Sequence, residues 1–554
     1  MPFKYRKTVK VIVWLLLSVL FIGIAIQLSI IFYFNARVKS DIQAEFRRQT
    51  GNTYMLEMKA FRLNLFTRSV QIRDILIRPQ EQSGDDDAKY YISAASLSFE
   101  NFSLMPFFTS RALDFNRLEL SEPSVTIFRN NVDAERDTNE NRQVFSTYKL
   151  LQEHIHSLKV NRIRIRNARI RIYDDEKDSL LLLDSRDNEL DISDLRIDKE
   201  SDRLGRLFLA ARTDLVIKNC SFTTPDSLYT IRVARVRASY TGSRVSMDSV
   251  SLSPNYPPKR FALKAREQTD RMDISVEKIE FSHMDVKLFF EKNWFIAQRL
   301  DITGFTLDAY RDKNIPRRPV RQPSIQSLIR RIPVYIKVDS IEVKQGTCVY
   351  REVPEGSAVA GRIIFHHISG MLTGFTNRPS MIRPDILRLN ASCRLMEHGK
   401  LRVYYGFPLN ADNTVFDCSG LLYGMPFTEL NRVLEPIAKV SALEGEIDSM
   451  SFRFHANEQK ATGKMKLLYH GLKIQILKKK DFKPAQVEYF LSFMAHSLFI
   501  KEQNPTGNQP PRVTTIDYVR DPERFIFNYT LKALLSGIKP ALGLPDRQRT
   551  RKFH

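Results

Sequence analysis

The chain has few of the residues that build cross-linked or metal-bound domains. Among its 554 residues there are 4 cysteines, 2 tryptophans and 21 glycines. The cysteines lie far apart and form no Cys-x-x-Cys pair; they are Cys220, Cys348, Cys393 and Cys418. This spacing excludes a disulfide-dense scaffold and a zinc ribbon, but it leaves one or two bridges open.

Short motifs of common catalytic chemistry are also missing. The sequence contains no G-x-x-x-x-G-K-[ST], G-x-G-x-x-G, H-E-x-x-H or G-x-S-x-G. His366-His367 and the pair His154/His156 have no third ligand at metal spacing. We therefore expect no catalytic residues, no cofactor, no metal site and no enzymatic activity.

The chain has a large excess of positive charge. The chain has 85 Lys and Arg against 63 Asp and Glu, a formal net charge of +22. Nucleic acid, anionic lipid headgroups and solubility all fit this value. Because the basic residues are spread along the chain without a nucleic-acid-binding motif, we do not expect a nucleic-acid partner.

A short apolar rhythm recurs through the chain. Each copy begins with two apolar residues separated by one residue. Two polar residues follow, and then two more apolar residues separated by one residue, as in Val70-x-Ile72-Arg73-Asp74-Ile75-x-Ile77. Further copies lie at 113–120, 158–165, 190–197, 245–252, 274–281, 300–307 and 336–343. Because no linker-like tract separates these copies, they indicate one repeated architecture.

The polar doublet has a structural meaning. Side chains of a strand alternate between faces, so an uninterrupted strand would place the second apolar pair on the opposite side. An inserted bulge or sharp bend restores the face. The rhythm thus predicts a mostly β fold of bent strands, each apolar on one face and polar on the other.

An apolar segment from Val11 to Phe34 contains no charge. As a helix it would be about 36 Å long, enough to cross a bilayer. A cleaved signal peptide is the alternative, disfavoured by the length of the segment and the lack of a cleavage site. The dense leading charges favour a cytoplasmic N-terminus.

These patterns predict the domain organisation. We expect a cytoplasmic tail at 1–10, a transmembrane helix at 11–34 and a β-rich domain at 35–515. Helical inserts are predicted near 142–157, 324–332, 427–439 and 484–499. A C-terminal amphipathic helix with a basic tail is predicted within 516–554, with Asp521 as its cap and Pro522 as its first residue.

The sequence resembles the AsmA-like family of envelope proteins, relatives of TamB and of bridge-like lipid-transfer proteins. Four stretches carry the resemblance: the anchor with 58–77, the segment 92–129, the segment 299–319, and 399–410 together with 520–539. Pro123 lies in an apolar-x-x-Pro-x-apolar pattern typical of the family.

The resemblance implies a fold and a function. It implies an elongated, twisted, taco-like β-groove, anchored in a bacterial inner membrane with the bulk of the chain in the periplasm. It also implies phospholipid transport that supports outer-membrane biogenesis, and possible contact with an outer-membrane or periplasmic protein. The chain is short for the family, so spanning the envelope would need a partner or a second copy.

Three sets of residues are candidates for function. The predicted groove lining is Val70, Ile72, Ile75, Ile77, Ile163, Ile165, Ile170, Ile172, Leu300, Ile302, Ile336 and Val338. A possible headgroup rim, or merely a solvated face, is formed by Arg162, Arg164, Arg166, Arg169 and Arg171. A partner- or membrane-docking face, or a cap of the groove, is predicted at Phe527, Leu531, Leu534, Leu535 and Ile538.

Two alternatives remain open at this point. The apolar face could close on itself as an ordinary barrel or sandwich core. The protein could also be a non-transporting scaffold whose strand edges capture strands of outer-membrane proteins.

Overall fold

The computed structural model describes most of the chain. The described residues are 35–64, 66–80, 89–103, 112–129, 156–174, 180–198, 212–317, 320–378, 385–411, 414–477 and 500–544, with a few isolated positions before residue 35 and Ser110.

The protein is mostly β, as the sequence predicts. The described strands are β1 (Tyr54–Asn64), β2 (Ser69–Pro79), β3 (Lys89–Glu100), β4 (Ala112–Ser121), β5 (Ser124–Arg129), β6 (Ser157–Asp174), β7 (Leu180–Ile197), β8 (Arg212–Thr223), β9 (Tyr229–Ser239), β10 (Arg244–Pro254), β11 (Arg271–Met284), β12 (Trp294–Asp312), β13 (Tyr335–Val353), β14 (Gly361–Thr376), β15 (Ile386–Leu395), β16 (Gly399–Pro408), β17 (Phe416–Pro426), β18 (Val440–Ala456), β19 (Lys460–Ile476) and β20 (Val513–Val519).

Helices are few among these residues. They are α1 (Asn35–Gln49), α2 (Pro258–Ala265), α3 (Val286–Lys292), α4 (Ile325–Arg330), a 3₁₀ helix (Phe427–Leu430), α5 (Asn431–Ala438) and α6 (Ile526–Ala541). Helix α4 lies in the range predicted near 324–332, and the 3₁₀ helix and α5 lie in the range predicted near 427–439. The helices predicted at 142–157 and 484–499 lie outside the described residues, apart from His156 and Ser157.

The predicted membrane helix at 11–34 also falls almost entirely outside the described residues. Among the residues that are described, no helix combines the length and the apolar character needed to cross a bilayer.

The start of the C-terminal helix differs from the prediction. The helix begins at Ile526, and its N-cap position is Phe525. Asp521 instead accepts a hydrogen bond from the backbone N–H of Glu523 at 3.0 Å, which forms a local turn that competes with capping. The predicted boundary between the β-rich domain at 35–515 and the C-terminal segment at 516–554 falls inside strand β20.

The chain divides into two compact units. Unit 1 comprises Met1–Thr223 and Val233–Gly242, and unit 2 comprises Thr224–Arg232 and Ser243–His554, so that β9 contributes residues to both. Within unit 1, β1, β2 and β3 pair antiparallel, and β3 pairs with both β4 and β5. Strand β6 pairs parallel to β4 and β5 and antiparallel to β7, which pairs with β8.

Unit 2 is a mixed sheet built from consecutive strands. Neighbours from β10 to β20 pair antiparallel, except that β12 and β13 are parallel. Parallel neighbours need a crossover connection. That connection includes α4, which lies between β12 and β13 in the chain.

The predicted bends lie at several of the polar doublets. Asp74, Asp194, Ser249 and Gly304 have φ of 52°, 54°, 51° and 66°. A residue with positive φ rotates the following segment, and Asn, Asp and Gly adopt this conformation most readily. In β2, apolar partners continue on both sides of the bend: Ile72 lies opposite Leu97 and Ile77 opposite Ile92.

Candidate functional site

The apolar side chains of unit 1 form continuous rows across its strands. One row is Phe61, Ile72, Leu97, Leu120, Ile165 and Leu190. A second row is Leu63, Val70, Phe99, Leu118, Ile163 and Ile192. Beyond the bends, Ile77, Ile92, Val125 and Ile170 continue the pattern. The strand pairing thus brings predicted lining residues such as Ile72 and Ile165 into one row, although they are far apart in the chain.

These rows are only partly covered. All residues of the first row are half-buried, and Ile170 is 37% exposed. Ile192, at the end of the second row, is buried. The described helix of this unit, α1, packs on β1. Within the described part of unit 1, these half-buried rows therefore form an apolar face that no packed cluster of side chains covers.

The predicted lining residues of unit 2 divide into two groups. Leu300 and Ile302 lie in rows with Phe281 and Ile279 of β11 and are half-buried, and Ile336 is also half-buried. Val338 is 1% exposed, so its prediction as a lining residue is wrong. It belongs to the packed interior, where it lies between Ala297 of β12 and Phe375 of β14.

Towards the C-terminal part of unit 2 the apolar face is closed. A cluster of buried side chains spans Ile329 to Ala541 and includes Phe416, Met425 and Ile516, each 0% exposed. The ring of Tyr529 on α6 meets the ring of Phe416 edge-on, with 5.8 Å between the centroids. This part of the sheet therefore has an ordinary helix-covered core.

Helix α6 approaches the sheet through small residues. Ala533, Ser536, Gly537 and Ala541 are buried. A Cβ placed on Gly537 would lie 3.0 Å from Ile516 and 3.2 Å from Met465, so the helix is in close contact with β19 and β20.

The predicted docking face of α6 is therefore partly packed against the core and partly exposed. Leu534 and Ile538 pack against the core. Leu531 and Leu535 are half-buried. Phe527 is 45% exposed, and its ring lies 5.9 Å from that of Tyr350 on β13.

The arginines predicted as a headgroup rim mostly have acidic partners. Arg162 and Arg164 both pair with Asp191 of β7, at 2.7 and 3.5 Å. Arg166 pairs with Glu119 at 3.5 Å, and Arg169 with Asp184 at 3.1 Å. Such cross-strand pairs satisfy the charge of the polar face locally, which favours the solvated-face interpretation.

The ion pairs also change proton affinities. The hydrogen bond that Arg162 donates lowers the pKa of Asp191, although burial opposes the shift. For Asp184, burial raises the pKa, but hydrogen bonds from Arg186 and Arg169 outweigh burial and leave the pKa lowered.

An open trough of about 1090 Å³ lies in unit 2 and crosses β13 to β20. On most of these strands three consecutive residues line the trough, such as 451–453 on β18 and 464–466 on β19. The middle residues of these two triplets, Phe452 and Met465, are buried in the core. Successive side chains of a strand point to opposite faces of the sheet, so the residues on either side of Phe452 and Met465 point to the opposite, exposed face. The trough therefore opens on the polar side of the sheet.

Basic residues dominate the trough. Among the described residues that line it, the basic ones are Lys344, Arg402, Arg453, Lys464 and Lys466, and the acidic one is Glu342. No motif in the sequence predicts this site, although Lys464-x-Lys466 places two cations on one face of a strand. The remaining contributors lie on other strands, and only the pairing register brings them together.

The chain matches no protein-family model, and no curated protein matches it significantly.

Proposed function

We propose that this protein is a membrane-anchored, AsmA-like lipid-transfer protein that carries acyl chains on an apolar β-sheet face. The observation that supports the proposal best is the half-buried state of the rows around Ile72 and Ile165. In the C-terminal part of unit 2 the apolar side chains form a buried cluster under α6, whereas the described part of unit 1 has no such packed cluster.

The physical basis is the cost of hydrating acyl chains. Each CH₂ group contributes about 0.8 kcal/mol, so exposing two long chains to water costs roughly 20 kcal/mol or more. A continuous apolar face removes most of this cost while the headgroup stays in solvent. Because no nucleotide-binding motif is present in the sequence, lipid would move down a gradient maintained by other proteins.

In this proposal the N-terminal segment holds the chain in a bacterial inner membrane, with the bulk of the protein in the periplasm. The protein is not an enzyme, and its role is to support outer-membrane biogenesis. Both statements rest on the resemblance of the sequence and on the apolar segment 11–34.

A transfer assay tests the proposal. Full-length protein is reconstituted in donor vesicles that contain a fluorescent phospholipid, and transfer to acceptor vesicles is followed with time. We expect accelerated transfer and phospholipid that co-purifies with the protein. Purified protein without bound lipid, together with transfer at the rate of protein-free vesicles, would contradict the proposal.

A scaffold function is the second candidate, and one observation favours it. Within the described part of the chain, β20 pairs only with β19, and Val513 and Val519 on it are 60% and 63% exposed. An unpaired strand edge can bind an extended segment of another protein. A photo-crosslinker at Val519 that yields outer-membrane protein adducts would support this alternative.

A further inference from the structure

The trough on the polar face of unit 2 has a charge arrangement that the apolar groove does not explain. Arg453 on β18 lies directly opposite Lys464 on β19, and Lys466 follows two residues further on the same face. Like charges directly opposite each other destabilise a sheet. An anion bound between these side chains would offset that repulsion.

The cations of the trough are available for such an anion. Among the described residues, Arg402, Arg453, Lys464 and Lys466 form no ion pair, and the side chains of all four are exposed. Glu342, the acid of the lining, already pairs with Arg299 and with Lys344, 3.3 Å from the lysine nitrogen. The trough thus keeps an uncompensated positive charge.

Hydroxyl groups accompany these charges. Ser451 lies opposite Lys466, and Ser419 lies opposite Arg453. Guanidinium and ammonium groups together with hydroxyls form the donor set that binds phosphate oxygens by charge-assisted hydrogen bonds.

The same trough also contains exposed apolar side chains. Leu421 is 38% exposed and lies between Arg402 and Ser451 in the cross-strand row. Val513, beside Lys466, is 60% exposed, and Met371 is 38% exposed. A small inorganic anion would contact the basic side chains but leave the apolar ones exposed to water. An amphiphile with a phosphate headgroup would cover both the basic and the apolar side chains.

We propose that this trough binds the phosphate headgroup of a single anionic phospholipid, with Arg453, Lys464 and Lys466 as headgroup ligands and Leu421 and Val513 in contact with the first part of its acyl chains. Its volume is that of a site for one ligand rather than of a flat membrane contact. This headgroup site rests on the proposed lipid-transfer function and adds a lipid class to it, but the site is separate from the apolar rows of unit 1.

The test is calorimetric titration of the full-length protein with three probes. These are the water-soluble dihexanoyl phosphatidylglycerol, the zwitterionic dihexanoyl phosphatidylcholine, and inorganic phosphate. We expect saturable binding of phosphatidylglycerol that weakens with added salt, and binding of the other two that is weaker by at least about tenfold.

A matched pair of variants locates the site. Lys464→Gln/Lys466→Gln removes two charges inside the trough, and Lys400→Gln/Lys460→Gln removes two exposed charges from β16 and β19 outside it. We expect the first variant to lose at least about tenfold in phosphatidylglycerol affinity and the second to bind as the parent chain does. Thermal unfolding followed by circular dichroism verifies that both variants fold.

Each contrary result has a definite meaning. Equal affinities in the two variants would overturn the assignment of the site, and equally tight binding of inorganic phosphate would overturn the lipid assignment. Equal binding of phosphatidylcholine would overturn the anionic selectivity. An Ile165→Asp variant separates this proposal from the transport proposal, because it should retain headgroup affinity even if lipid transfer is lost.

Discussion

Ile165 on β6 lies directly opposite Leu190 on β7, and both side chains remain half-buried. Leu120 of the parallel strand β4 lies on the other side of Ile165. Three apolar residues from distant parts of the chain thus form a surface that the described helix of unit 1 does not cover. This relationship connects the sequence rhythm with the apolar face for which we propose lipid binding.

The first prediction concerns Ile165→Asp. Because the side chain is half-buried, the variant should fold and lose no more than about 2 kcal/mol in free energy of unfolding, measured by urea denaturation. Lipid transfer should fall sharply, because a carboxylate interrupts the apolar row.

Val160→Asp on the same strand is the matched control. Val160 is 1% exposed, so an ionised carboxylate there should cost about 4 kcal/mol or more. If Ile165→Asp proved as destabilising as Val160→Asp, the apolar face around Ile165 would be a closed core rather than an open surface.

The second prediction concerns acid stability. The pKa of Asp191 is lowered in the folded protein, chiefly by the hydrogen bond from Arg162. The stabilisation is therefore fully present above the pKa of the unfolded state, about 3.9, and is lost as the pH falls through the lower folded value. Unfolding temperatures measured from pH 6 to pH 2.5 should fall most steeply below about pH 4.

Asp191→Asn tests the assignment of this acid transition. The variant should be less stable than the parent chain at pH 6, and the difference should shrink towards pH 2.5. A stability difference that stays constant over this range would show that ionisation of Asp191 does not contribute.

The third prediction concerns the docking of α6 on the sheet. Ala533 is 0% exposed, so Ala533→Leu should overpack the contact with the sheet and cost about 1–3 kcal/mol in free energy of unfolding. Lys539→Leu, at an exposed position of the same helix, should change this free energy by less than about 0.5 kcal/mol. Equal unfolding midpoints for the two variants in urea would mean that α6 is not part of the core.

The fourth prediction concerns the thiols. All four cysteines are free in the structure, and burial raises the pKa of Cys418 to about 12 and that of Cys393 to about 11. Because the thiolate is the reactive form, Cys418 should be alkylated far more slowly at pH 8 in the native protein than in urea. Mass spectrometry of iodoacetamide-treated protein measures this, and equal native and unfolded rates would contradict the burial of Cys418.

The sequence predicted the strand content, the bends and the apolar face of each strand, because all three follow from local alternation and from the polar doublets. Asp74 and Ser249 show this, since each has positive φ at the position where the rhythm requires a change of direction. It also predicted the apolar helix near the C-terminus, but misplaced its start, because Asp521 is equally suited to a turn.

Other features depend on long-range packing and could not be predicted in this way. Val338 has the same local pattern as Ile165, yet it is buried between neighbouring strands. The basic trough arises from the register of eight strands, and no short window of sequence contains it. Whether an apolar strand face is covered or open is likewise decided by elements distant in the chain, such as α6.

The most direct measurement is site-specific photo-crosslinking in cells. A photoreactive amino acid is placed at Ile165, on the apolar face of β6, or at Arg166, on its exposed polar face. We expect phospholipid adducts at position 165 and none at position 166. Lipid adducts absent from position 165, or equally abundant at both positions, would contradict the claim that the apolar face of unit 1 carries lipid.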